Sequence, residues 1–111
     1  MRGRLAPIAC LAVALVGLSA GAAAASVGLS MAAAEARSSE YARHTCAHDP
    51  SCVSHGVLNC RRQGRRVALC RIYDERRTRV QGRYRCQRLI RVSLDSASAR
   101  RPITGLGRWH C

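Results

Sequence analysis

The chain has 111 residues and seven cysteines, which leaves room for one small domain and excludes a multidomain protein. Phenylalanine is absent and aromatic residues make up 4% of the chain, so a large aromatic core is excluded as well. All 19 basic residues are arginine, against six acidic ones, and a formal net charge of +13 points to polyanionic partners.

Residues 1–25 have the three zones of an export signal. Arg2 and Arg4 form a basic start, Leu5 to Leu18 an uncharged apolar run, and Ala23-Ala24-Ala25 a small-residue cleavage site before Ser26. Cys10 falls inside this signal and is removed with it. The competing reading is an uncleaved anchor, because no charge occurs from Leu5 to Ala34. Cleavage leaves seventeen arginines against six acidic residues, a net charge of +11. The absence of lysine fits a GC-rich coding bias. Such a bias explains arginine in place of lysine, not the excess over acids.

Residues 26–39 are rich in Ala and Ser and read as a disordered lead-in, with a single disulfide-rich domain over 40–111. Ser38 or Ser39 is a candidate cap for a short helix from Glu40 to about Thr45. Asp49-Pro50-Ser51 reads as a turn. Extended segments follow at Gly56–Arg62 and Arg65–Asp74, with Gln63-Gly64 as the tight turn between them. Arg83–Asp95 is the clearest strand. Tyr84, Cys86, Ile90, Val92 and Leu94 share one face at period two, broken by Arg88, while Arg83, Arg85, Gln87, Arg91 and Ser93 share the other. Thr104–Cys111 reads as a last short strand or a tail pinned by Cys111. The pattern R-x-Q-G-R occurs at Arg61 and again 18 residues later at Arg79, which suggests two equivalent hairpin turns.

These elements predict a small β-rich, disulfide-stabilised domain: an antiparallel sheet of three or four short strands with one wet face, preceded by a short helix and a signal peptide. Cys46, Cys52, Cys60, Cys70, Cys86 and Cys111 form an even set in an exported chain and are expected to make three disulfides. The spacing leaves their connectivity open. A hairpin centred on Thr78 would set Cys70 opposite Cys86, whereas a Gln81-Gly82 turn would misalign them, and the first is slightly favoured.

The candidate binding residues are Arg61, Arg62, Arg65, Arg66, Arg83, Arg85 and Arg91, with Arg71 added if the register allows. Arginines at alternate strand positions stand about 7 Å apart, close to phosphate spacing on an extended polyanion. The partner they fit is an anionic polymer, a lipid surface or nucleic acid. His44, Cys46, His48, Asp49, Cys52 and His55 lie within twelve residues and resemble a ligand set, but their spacing matches no standard zinc pattern. With both cysteines assigned to disulfides, no metal or other cofactor is expected. His48, His55 and His110 could supply the acid and base of a secreted hydrolase. No G-x-S-x-G, H-E-x-x-H or Walker motif orders them, and no enzyme is expected. The expected role is a secreted or periplasmic binding module for anionic surfaces or polymers. A protein-binding scaffold centred on Trp109, Tyr73 or Tyr84 and a histidine-based hydrolase are the alternatives.

Overall fold

The computed structural model describes residues 28–95 and 97–111, so the export signal expected over 1–25 lies outside the described residues. Helix α1 (Met31–Ala47) is followed by strands β1 (Cys52–Gly64), β2 (Val67–Thr78), β3 (Gly82–Ser93) and β4 (Ile103–His110). The strands form one antiparallel sheet in the order β1-β2-β3-β4. Each strand therefore pairs with its sequence neighbour, through tight turns for the first two pairs and a longer loop between β3 and β4.

The helix begins well before the expected position, and the stretch taken as a disordered lead-in is ordered from residue 28 onward. The reason lies in Met31-Ala32-Ala33-Ala34-Glu35-Ala36, a run with the highest intrinsic helix propensity. Ser30, not Ser38 or Ser39, caps it: the Ser30 hydroxyl accepts the Ala33 amide at 3.0 Å. Ala34, Ser38 and Ala42 follow at four-residue spacing and are all buried. Their small side chains let the helix lie close against the sheet. Among the described residues, no helix is long and apolar enough to cross a membrane.

The core sits between α1 and the inner sheet face. Leu29, Ala34 and Ala42 meet Ala68, Cys70, Ile72, Ile90 and Val92, all buried. The alternation expected for β3 holds, with Cys86, Ile90 and Val92 inward. Arg88 shares their inward parity but lies toward the β4 edge, where its guanidinium fills the space over side-chain-free Gly105. Its Nε donates to the Gly107 carbonyl at 3.2 Å. Gly107, at φ 82°, belongs to the irregularity that makes this room.

Three disulfides join Cys46 to Cys52, Cys60 to Cys70 and Cys86 to Cys111. Cys60 and Cys70 are directly opposed across β1 and β2, with Cα atoms 4.0 Å apart. Cys70 and Cys86 are not opposed, contrary to expectation. The β2–β3 register centres on Val80 and sets Cys70 opposite Ile90 and Asp74 opposite Cys86. The β1–β2 turn also differs from expectation. Gly64 still pairs with Val67, and Arg65-Arg66 forms the turn. Gly82, by contrast, follows its turn at φ 68°, so the two R-x-Q-G-R segments are not equivalent hairpins.

The turn expected at Asp49-Pro50-Ser51 is present and charged. The Asp49 carboxylate accepts the Ser51 hydroxyl at 2.7 Å and the Ser51 amide at 2.9 Å, and Arg76 stands 3.5 Å away. The bonds from Ser51, first the hydroxyl and then the amide, hold the Asp49 carboxyl below the ordinary aspartate range, with a smaller contribution from the Arg76 charge. A carboxyl depressed in the folded state stabilises the fold above its unfolded pKa, about 4, and that stabilisation is lost as pH falls through the folded value. Ser51→Ala is therefore expected to lower the melting temperature at pH 7. The gap to wild type should narrow below pH ~4 as Asp49 protonates in both proteins. Melting curves at pH 7 and in acid check this, and a gap independent of pH would refute it.

Candidate functional site

The sheet's outer face carries most of the arginines named from sequence. In β2, Leu69, Arg71, Tyr73, Glu75 and Arg77 take alternate outward positions. The register sets them against Arg91, Leu89, Gln87, Arg85 and Arg83 of β3. Arg61 of β1 lies across from Leu69, so Leu69 is flanked by Arg61 and Arg91 and is only 7% exposed. The long apolar stems of arginine suit this position, because they can cover an aliphatic side chain while the charged ends stay in water. The next row is Asn59, Arg71, Leu89 and Leu106, and the one after it Gly56, Tyr73, Gln87 and His110. Rows repeat every ~7 Å along the strands, and strands lie ~4.8 Å apart.

Three contacts orient this face. Arg83 Nε is 3.3 Å and Arg85 Nη2 3.8 Å from the Glu75 carboxylate. One carboxylate between two guanidinium groups aims both and neutralises only one. Arg85 also lies 4.2 Å over the Tyr73 ring. The Tyr73 ring in turn covers Gly56, where an added Cβ would stand 2.7 Å from it. Beside this stack, a groove of about 470 Å³ opens between Arg71, Arg85, Gln87 and His110, with Leu89 and Leu106 among its walls.

Of the seven candidate arginines, Arg61, Arg83, Arg85 and Arg91 share this face. Arg62 does not. It lies at an inward position and donates to the carbonyls of Leu29, Gly64 and Arg65, where it ties the helix lead-in to the β1–β2 turn. Arg65 and Arg66 form that turn, and their carbonyls accept the amides of Leu29 and Leu94. Arg71 joins the face as the register permits. Arg77, Tyr73 and Glu75 belong to it too, and the alternation Arg71-Tyr73-Glu75-Arg77 was the signal for them.

The Cys/His cluster divides differently. Cys46 and Cys52 are bonded to each other, Asp49 serves its turn, and His48 Nδ1 donates to the His44 carbonyl at 2.9 Å. Among the described residues no three His, Cys, Asp or Glu side chains converge as metal ligands. His55 and His110 lie on the two opposite edge strands, about 14 Å apart across three strand spacings, too far to serve as one acid–base pair. Two of the three aromatics of the scaffold alternative are engaged within the fold: Tyr73 beneath Arg85, and Trp109 against the core with Arg76 5.5 Å over its ring.

Comparison with protein families, with curated proteins and with solved structures finds no match to this chain. Its three disulfides place the folded form in an oxidising environment.

Proposed function

We propose that this chain is an exported, non-enzymatic binding module that holds polyanions on the outer face of its sheet, in the secreted or periplasmic space. The observation that carries the reading is charge segregation. Arg61, Arg71, Arg77, Arg83, Arg85 and Arg91 share outward strand positions with a single carboxylate, that of Glu75. A row of guanidinium groups, two of them oriented by Glu75, favours phosphate, sulfate or carboxylate repeats, with bidentate hydrogen bonds available to each.

Binding of this kind releases counterions, so affinity falls steeply with salt. With a short DNA duplex as a generic polyanion, four arginine contacts predict about a hundredfold loss of affinity between 50 and 200 mM salt. Replacing Arg71 and Arg85 with Gln should reduce the slope of log affinity against log salt by about two. Fluorescence anisotropy at four salt concentrations measures both quantities. Binding that ignores salt, or a double variant with an unchanged slope, would overturn the reading.

A further inference from the structure

The β2–β3 hairpin ends in Arg79-Val80-Gln81, between Thr78 and Gly82. Val80 is 94% exposed, by far the most exposed large aliphatic residue described, against 46% for Val53 and 37% for Leu58. The tip holding it is ordered by its own chemistry. The Gln81 amide donates to the Thr78 hydroxyl at 3.0 Å, and Gly82 takes φ 68°. Val80 is thus presented at the apex of a defined turn.

Around this apex the charge is one-sided. Arg77 and Arg83 are direct cross-strand partners on the outer face, and Arg79 lies beside them in the turn. Like charges directly opposed across strands are destabilising. Glu75 compensates Arg83, while among the described residues no carboxylate forms an ion pair with Arg77 or Arg79. The tip therefore carries an aliphatic point inside a collar of cations, two of them without an anionic partner.

The two halves of this arrangement discriminate among polyanions. A soluble polyanion answers the arginines and leaves Val80 in water. Single-stranded nucleic acid would in addition seek an aromatic stacking surface, and residues 77–83 contain none. An anionic bilayer answers both at once, with phosphates at the level of the collar and an apolar boundary just beneath. We propose that the β2–β3 hairpin tip docks on an anionic lipid bilayer, with Val80 entering the headgroup boundary and Arg77, Arg79 and Arg83 held by lipid phosphates. The proposal rests on the polyanion reading above and names the surface that reading serves.

Co-sedimentation of the disulfide-bonded protein with phosphatidylcholine vesicles containing about one quarter phosphatidylglycerol tests it, with the DNA duplex measured in parallel. Wild type should bind the anionic vesicles and not pure phosphatidylcholine. Val80→Ser should weaken vesicle binding about fivefold and leave DNA binding unchanged. Arg77→Gln with Arg79→Gln should weaken vesicle binding more, about thirtyfold. A Val80→Ser protein that binds vesicles like wild type overturns the lipid proposal. So does a wild-type protein that binds DNA but not anionic vesicles, and in that case the polyanion reading stands. Failure to bind either probe at low salt overturns both. Circular dichroism of each variant establishes that the fold is intact.

Discussion

Reduction of the three disulfides is expected to unfold the sheet at 25 °C. The fully buried aliphatic side chains larger than alanine are Leu29, Ile72, Ile90 and Val92, and cysteines fill much of the remaining interior. A core this small rarely supplies more than ~3–5 kcal/mol. The bridges close loops spanning 6, 10 and 25 positions. On the chain-entropy account, these loops correspond to about 2.2, 2.7 and 3.5 kcal/mol of unfolded-state destabilisation. Their sum, about 8 kcal/mol, exceeds what the apolar core can offset. Cys70 and Cys86 are also completely buried, so reduction puts two thiol hydrogens into a packed interior, one from each of two bridges. The measurement is far-UV circular dichroism with and without reductant, with mass spectrometry to confirm that all six sulfurs are reduced. A native spectrum in the fully reduced protein would refute the prediction. Among paired Cys→Ala variants, loss of Cys86–Cys111 should cost most, because it closes the longest loop.

The second large effect is expected at Asp74. Its residue is 2% exposed, and its two carboxylate oxygens each accept a hydrogen bond from Arg76 at 3.2 Å. Arg76 also faces Asp49 at 3.5 Å and lies over Trp109, so one guanidinium joins the Asp49 turn, β2 and β4. Hydrogen bonding to Asp74, ahead of the charges of Asp74 and Asp49, raises the Arg76 pKa and keeps the group charged. Breaking a buried pair costs about 3–5 kcal/mol, and the lower end applies here because Arg76 is partly exposed and keeps the Asp49 contact. Asp74→Ala should therefore lower the melting temperature by roughly 15 °C or more in a domain of this size. Replacing both residues with Leu should be less damaging than the two single changes added together, because no buried charge is left unpaired and Asp49 keeps its bonds from Ser51. Thermal melts of the two singles and the double decide it, and strict additivity would show that the pair does not act as a unit.

The arginines divide into those that hold the fold and those left facing solvent, and pairing makes that division. Arg62 and Arg76 resemble any other arginine in the chain until the register turns them toward backbone carbonyls and a buried carboxylate. Glu75 pairs with Arg83 and Arg85, and among the described residues no carboxylate forms an ion pair with Arg77 or Arg79.

Some of this was legible from the residues alone. Local alternation placed Cys86, Ile90 and Val92 on one side of β3 and Arg83, Arg85 and Arg91 on the other, because side-chain direction in a strand depends only on parity. An even set of six cysteines after the expected signal, in a chain with a weak apolar inventory, was enough to predict three bridges. Parity says nothing about the offset between strands, however, and it is offset that set Cys70 beside Cys60 rather than Cys86. Composition likewise misread residues 28–39. An Ala/Ser run is poor in apolar bulk, yet its small side chains become a packing surface once a sheet face lies against them. Local pattern and composition were sufficient for the element types, the charged strand face and the presence of disulfides. Which cysteines meet, how far the helix extends and which arginines stay on the solvent side are set by tertiary contacts, because each depends on what the register and the helix–sheet packing bring across from elsewhere in the chain.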